Sequence, residues 1–152
     1  MKEERNIKTV KWMNALLMLL LISACSSGPQ PISYGSDQCD LCRMGIVDEK
    51  YGAEIVTVKG KIYKFDSGEC MINFINQGKM KESDVASWWV VSPAQPKKLI
   101  DATKAYYLHS LNFPSPMGAN LSAFETEEQL KQYQTQYGGD EWTWTDAMKN
   151  VK

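Results

Sequence analysis

The feature of this sequence that most constrains its fold is a pattern that occurs twice, with an offset of 59 residues. In each copy an aromatic residue ends a strand candidate, a hydroxyl residue two positions later can cap a helix, and apolar residues follow on one helix face. The corresponding positions are Phe65 and Phe124, Ser67 and Thr126, Met71 and Leu130, and Phe74 and Tyr133. The pattern predicts an α+β fold of two similar ββαβ units, a pseudo-duplication. Because a unit of about 60 residues buries only about 60% of its unfolded surface, we expect the two units to pack together.

Local signals place the elements of each unit. The β-branched run 55–58 and the segment 62–65 flank Gly60 and predict a hairpin, after which a helix runs from a Ser67 cap to Gly78. The second helix begins at a capping box that starts with Thr126, and this helix ends at Gly138. Further strands are predicted at 88–91, 105–109, 119–124 and 142–144.

The N-terminus has the three parts of a signal peptide. Four basic residues precede an apolar stretch at 12–22, and Ser23, Ala24 and Cys25 follow it. Eleven residues reach only about half of a ~30 Å hydrocarbon core, so this stretch is not expected to span a membrane. The residues up to Cys25 resemble the bacterial lipoprotein box, in which the thiol of the first mature residue is acylated. We therefore expect a signal peptide at 1–24 and a lipid anchor on Cys25, and Ser26 in the next position favours the outer membrane or the cell surface.

The rest of the chain divides by composition. Residues 25–36 are rich in Ser, Gly and Pro, show no apolar period, and are predicted to form a flexible tether. The first ββαβ unit is placed at 37–100 and the second at 101–152. A net charge of −1 with no basic stripe excludes nucleic-acid binding by charge. The chain has one histidine and neither G-x-S-x-G nor H-E-x-x-H, so no enzymatic activity is expected.

Sulfur atoms are concentrated in two short motifs. Cys39, Cys42 and Met44 form a C-x-x-C-x-M run, and Met117 lies in a Ser-Pro-Met-Gly loop of the second unit. Thiolates and thioethers are soft donors that select Cu(I) over harder ions. Cys70, near a helix N-terminus where the helix dipole favours a thiolate, and His109, the sole histidine, are additional candidate donors.

Three other interpretations stay open. Cys39, Cys42, Cys70 and His109 are a nominal Cys₃His zinc set. Cys39 and Cys42 could instead be the disulfide pair of an oxidoreductase, although such a pair is expected at a strand-to-helix junction. The cysteines could also only stabilise a scaffold. If Cys25 is acylated, three thiols remain, so at least one is left unpaired or metal-bound.

Four motifs together resemble NosL, the family of nitrous oxide reductase accessory lipoproteins. They are the lipoprotein box, the run from Cys39 to Ile46, the segment from Tyr63 to Cys70, and Ser-Pro-Met-Gly with the residues up to Phe124. The resemblance extends from Cys25 to about Val151. It implies two similar ββαβ units in a lipoprotein that faces the periplasm or the cell exterior.

The resemblance also implies a function and a site. A protein of this family is expected to bind Cu(I) and to supply it to apo nitrous oxide reductase. By position, Cys42 and Met44 would be primary ligands and Met117 would reach across from the second unit. Cys39 would lie beside them, and Cys70 and His109 would be extra donors.

Overall fold

The computed structural model describes residues 28–152, so the predicted signal peptide and the predicted lipid attachment at Cys25 lie outside the described residues. The first unit contains strands β1 (Ala53–Thr57) and β2 (Ile62–Phe65), helix α1 (Gly68–Asn76), a 3₁₀ turn (Glu82–Asp84), and strands β3 (Val85–Ser92) and β4 (Gln95–Asp101). They form an antiparallel sheet in the order β2-β1-β3-β4.

The second unit follows the same plan. It contains β5 (Tyr106–His109), β6 (Leu121–Phe124), helix α2 (Glu127–Tyr137), β7 (Asp140–Trp142) and a last helix, α3 (Trp144–Asn150). Its antiparallel sheet has the order β6-β5-β7, which corresponds to β2-β1-β3 of the first unit. The predicted pair of similar ββαβ units is confirmed.

Equivalent residues of the two units make equivalent contacts. Ser67 accepts a hydrogen bond from the N–H of Cys70 at the start of α1, and Thr126 caps α2 in the same way. The last residue of each hairpin packs on the following helix, with ring centroids 5.3 Å apart for Phe65 and Phe74 and 4.7 Å apart for Phe124 and Tyr133. The offset of 59 residues in the sequence is therefore a structural equivalence.

Two element predictions differ from the structure. The segment 95–101, for which the sequence analysis predicted no strand, is the edge strand β4, because its backbone pairs with β3 although its side chains lack a regular apolar pattern. The predicted strand 142–144 ends at Trp142, because the Thr143 side chain and Asp146 form a capping box that starts α3.

Part of the predicted tether contacts the first sheet. The N–H of Gln30 donates to Glu54 Oε1 at 2.8 Å, and Lys64 Nζ donates to the Pro31 carbonyl at 3.0 Å. Ile32 is buried, and the Tyr34 hydroxyl donates to the Tyr51 carbonyl. The sequence analysis placed the start of the folded part at residue 37, whereas contacts with the sheet begin at Gln30. The bounds of the two units stay a prediction.

The main core lies between the two sheets. Ile55, Phe65 and Met71 of the first unit belong to the same buried cluster as Tyr107 and Ala123 of the second. Helix α1 packs against β1 and β2 and also against β6. The units thus share one core, as expected from their small size. From residue 28 onward, no helix is long and apolar enough to cross a membrane.

Candidate metal centre

The C-x-x-C-x-M run forms a closed turn. The N–H of Cys39 donates to the Met44 carbonyl at 2.8 Å, and the N–H of Arg43 donates to the Cys39 carbonyl at 3.0 Å. Arg43 has a φ of 66°, a left-handed conformation that reverses the chain. Residues on either side of the turn, Gln38 and Gly45, form an antiparallel bridge. The turn is thus closed between Cys39 and Met44, and Cys42 lies within it.

Backbone hydrogen bonds attach this turn to strand β2. The N–H of Asp40 donates to the Lys64 carbonyl at 2.8 Å, and the Asp40 carboxylate accepts from the Lys64 N–H at 2.9 Å. Lys64 Nζ also donates to Asp37 at 2.7 Å, and this hydrogen bond lowers the pKa of the Asp37 carboxyl below its ordinary value. Because β2 leads directly into α1, the turn is held beside the start of that helix.

Four side chains converge at this place. One donor atom from each of Cys39, Cys42, Asp66 and Cys70 lies within 4.8 Å of the others. Cys39, Asp66 and Cys70 are buried, whereas Cys42 is partly exposed. Among the described cysteines all three thiols are free. The cluster offers three sulfur ligands and one carboxylate, with access from solvent on the Cys42 side.

Hydrogen bonding within the cluster distributes its protons unevenly. A hydrogen bond from Cys70, together with backbone N–H groups of Leu41, Cys42 and Asp66, lowers the pKa of the Cys39 thiol to about 6 against the opposing effect of burial. Burial is the main cause that raises the pKa of Cys42. Hydrogen bonding thus favours the thiolate form at Cys39, whereas burial favours the protonated thiol at Cys42.

Cys70 differs from the sequence-based expectation. Its place at the start of α1 predicted a stabilised thiolate, but the structure raises the pKa of the Cys70 thiol above its ordinary value. The largest cause is the hydrogen bond that it gives to Cys39, followed by burial and by the nearby Asp66. A neighbouring thiolate and carboxylate thus outweigh the helix dipole, whose effect is modest.

The remaining candidate donors occupy different places. Met44 and Met117 are exposed, at 57% and 40%, and Met117 lies at the tip of the loop between β5 and β6. His109 ends β5 and stacks on the Trp142 ring with centroids 4.5 Å apart, and it is not a member of the four-residue cluster. The assignment of the methionines as ligands stays a prediction.

Asp66 is the member of the cluster that the sequence analysis missed. Its Oδ2 atom lies 3.7 Å from Cys42 Sγ and accepts a hydrogen bond from that thiol. The only signal in the sequence was its position directly before the Ser67 cap and four residues before Cys70. In the structure a Cys₃Asp set replaces the Cys₃His set considered above, because Asp66 converges on the cysteines.

The location of the C-x-x-C pair bears on the oxidoreductase interpretation. Cys39 and Cys42 lie in a turn that precedes strand β1, and the cysteine at a helix start is Cys70. A thioredoxin-like pair is expected where a strand leads into a helix. The observed placement is not of that kind.

The fold and the cluster define a class, a small α+β protein of two ββαβ units with a thiol-rich site suited to a metal ion. The NosL family model matches residues 31–151, and the chain belongs to the NosL family.

One solved structure with a similar fold is the crystal structure of the copper chaperone NosL from Shewanella denitrificans. The TM-score is 0.66 at 21% sequence identity, and the match covers 79% of this chain and 95% of that chain. At this identity the likeness shows a shared fold. The comparison with curated proteins found no match.

Proposed function

We propose that this protein is a lipid-anchored metallochaperone that binds Cu(I) and delivers it to apo nitrous oxide reductase. The observation that carries the proposal is that the two free thiols of the C-x-x-C-x-M turn converge with the free thiol of Cys70. Membership of the NosL family and the fold shared with a copper chaperone support it. In this role the protein is a carrier and catalyses no reaction.

The proposed copper ligands are Cys42, Met44 and Met117, with Cys39 beside them. Cys39 and Cys42 supply thiolates, and the methionine thioethers need no deprotonation, so the set favours a soft monovalent ion. Cys70 is close enough to join or to stabilise the thiolates through hydrogen bonds. His109 is the weakest candidate, because its ring is stacked on Trp142 outside the cluster.

Exposure at one side of the site suits transfer to a partner. Cys42 is partly exposed and Met44 is 57% exposed, whereas Cys39 and Cys70 are buried. An incoming donor from a partner can replace exposed ligands one at a time while the buried thiols keep the ion bound. A carrier needs this property, because it must hold Cu(I) and yet release it by ligand exchange.

Competition for Cu(I) tests the proposal directly. Reduced full-length protein in mild detergent, without oxygen, competes for Cu(I) against a chromophoric chelator, with Zn²⁺ as a parallel titrant. Tight, stoichiometric Cu(I) binding is the expected result. Cu(I) that stays entirely with the chelator would contradict the proposal.

The Cys₃Asp composition supports a second candidate, a structural Zn²⁺ site. Three thiolates and one carboxylate suit tetrahedral Zn²⁺, since the carboxylate oxygen is a harder donor than sulfur. If this candidate is correct, Zn²⁺ binds tightly and raises the unfolding temperature. Copper-loaded protein then transfers no Cu(I) to the recipient enzyme. The parallel Zn²⁺ titration separates the two candidates.

Delivery needs its own experiment with the recipient. Copper-loaded protein is mixed with apo nitrous oxide reductase, and the enzyme's copper content and visible absorption are followed over time. The Cys42→Ser variant and free Cu(I) at the same total concentration are the controls. Transfer that is faster from the loaded protein than from free Cu(I) would support delivery, and equal rates would contradict it.

The lipid anchor and the location are proposed from the sequence around Cys25. We expect mass spectrometry of the membrane fraction to find the mature chain beginning at an acylated Cys25, with the domain facing the periplasm or the cell exterior. The Cys25→Ser variant should remain unprocessed. A mature wild-type chain that lacks lipid and washes off membranes would contradict the anchor.

A further inference from the structure

A buried carboxylate connects the two units directly beside the cysteine cluster. Glu69 is 1% exposed and is the second residue of α1, adjacent to Cys70. Its Oε1 atom accepts hydrogen bonds from the Ser115 hydroxyl and from the N–H of Leu121, at 3.0 Å for the latter. Ser115 and Leu121 lie on either side of Met117 in the chain, Ser115 within the loop between β5 and β6 and Leu121 at the start of β6. One carboxylate oxygen therefore ties both ends of the segment 115–121 to the helix of Cys70.

Ser115 organises the loop from inside. Its hydroxyl oxygen accepts from the N–H of Asn120 at 2.8 Å while it donates to Glu69, and its carbonyl accepts from the N–H of Gly118 at 3.2 Å. Ser115 is buried, whereas Met117 at the loop tip is 40% exposed. The loop is thus anchored at Ser115, while Met117 two residues later stays partly exposed.

The Glu69 carboxylate is costly to bury. Its Oε2 atom is buried and has no hydrogen-bond partner in the described part of the chain. A buried acceptor without a partner destabilises the folded state, so an apolar residue of similar size would suit the core better. Core stability alone does not explain an acid at this position, whereas attachment of the loop does.

We infer that Glu69 is a positioning residue for the copper site: through Ser115 and Leu121 it holds the Met117 loop against the start of the helix that carries Cys70. The inference rests on the proposed function and adds to it a residue that is not itself a ligand. A thioether is a weak, neutral donor, so its contribution depends on being held near the thiolates before the ion arrives.

A double-mutant cycle tests the inference on reduced full-length protein. Ser115→Ala removes the bridging hydroxyl, Met117→Leu removes the thioether, and the double variant removes both. We expect Ser115→Ala to bind Cu(I) about tenfold more weakly, the usual scale for residues that orient metal ligands, and Met117→Leu, which loses the thioether itself, to lose at least as much. The double variant should bind no more weakly than Met117→Leu alone, because Ser115 acts only through Met117.

Two further measurements separate positioning from general stability. X-ray absorption should find one sulfur neighbour fewer around copper in both Ser115→Ala and Met117→Leu. The matched control is Thr126→Ala, which removes the hydroxyl cap of α2, lowers the unfolding temperature, and should leave Cu(I) affinity unchanged. Glu69→Leu removes the acceptor of both donors and should weaken Cu(I) binding as Ser115→Ala does, which gives a second test if Ser115→Ala does not fold, whereas Glu69→Gln keeps an oxygen acceptor and should retain wild-type affinity.

The outcomes distinguish this inference from the proposed function. Wild-type affinity in Ser115→Ala, or additive losses in the double variant, would overturn the positioning role while Cu(I) binding by the wild type stands. Wild-type affinity in a folded Glu69→Leu variant would also overturn it, as would wild-type affinity in Met117→Leu. If the wild type itself binds no Cu(I), the proposed function fails and the inference fails with it.

Discussion

Asp66 accepts a hydrogen bond from the thiol of Cys42, with 3.7 Å between Oδ2 and Sγ, and the two residues are 24 positions apart in the chain. The other carboxylate oxygen, Oδ1, is buried and has no hydrogen-bond partner within residues 28–152. Buried polar atoms without partners are rare in folded proteins. A bound cation would give this carboxylate a partner at the point where three thiols also converge.

The first prediction concerns Asp66→Asn. The amide keeps the size of the side chain but removes the charge and the hard anionic donor. We expect Zn²⁺ affinity to fall by about 10- to 100-fold, the usual range for a changed metal environment, and Cu(I) affinity to change much less because sulfur dominates its coordination. Parallel chelator competitions with both metals measure the ratio. An equal loss for both metals would show that Asp66 acts on the thiols in general.

Cys42→Ser is expected to weaken Cu(I) binding by at least about 100-fold. A serine hydroxyl is a poor ligand for a soft ion, and Cys42 is the partly exposed thiol of the cluster. Because the side chain is not in the buried core, the unfolding temperature of the metal-free protein should stay close to that of the wild type. Chelator competition and a thermal melt check the two statements, and unchanged copper affinity would refute the ligand assignment.

The stability of the metal-free protein should depend on pH through Cys39. Folding lowers the pKa of this thiol from about 9 to about 6, so its thiolate stabilises the folded state at pH 9 and the contribution disappears as the pH falls to 6. The difference in unfolding free energy between the wild type and Cys39→Ala should therefore grow with pH, by at most about 1.4 kcal/mol per unit. Urea denaturation of both proteins at pH 6, 7.5 and 9 measures it.

The other two thiols act in the opposite direction at higher pH. Folding raises the pKa values of Cys42 and Cys70, so their contribution is present below the ordinary thiol pKa and is lost above it. Wild-type stability should therefore stop rising and then decrease beyond pH 9. A wild-type minus Cys39→Ala difference that does not vary between pH 6 and 9 would mean that Cys39 is a neutral thiol in the metal-free protein.

Met44→Leu should separate binding from folding. Met44 is 57% exposed, so leucine there should change the unfolding free energy by less than about 0.5 kcal/mol, the usual limit for surface positions. Cu(I) affinity should nevertheless fall, since the thioether is lost. Met80→Leu, at a partly buried methionine outside both sulfur motifs, is the matched control and should leave copper affinity unchanged. Equal affinity in the two variants would remove Met44 from the ligand set.

Much of the fold could be predicted because its signals are local. The hairpin around Gly60, the Ser67 and Thr126 caps, and the end of α2 at Gly138 are all set by residues a few positions apart. Gly138 shows such a local signal: its φ is 67°, a left-handed conformation that favours glycine at the end of a helix. Repetition of these local signals at one offset predicted the two units.

The fold predictions that were wrong concern segments whose structure depends on residues that are distant in the sequence. Strand β4 has exposed lysines and a proline, and it exists because β3 offers its backbone groups. Gln30 and Pro31 have no apolar pattern, and they are ordered because Glu54 and Lys64 bind their backbone atoms. Composition carries no information about such partners.

The candidate site also has features that the local sequence predicts and features that only tertiary contacts set. The sequence by itself determined the sulfur motifs and the prediction of a soft ion, because donor chemistry belongs to residue types and their spacing along a few positions. Only the tertiary structure decided that Asp66 joins three cysteines and that Glu69 holds the second unit's loop. These contacts join residues 24 and 46 positions apart, and they depend on the pairing of the Cys39 turn with β2 and of α1 with β6.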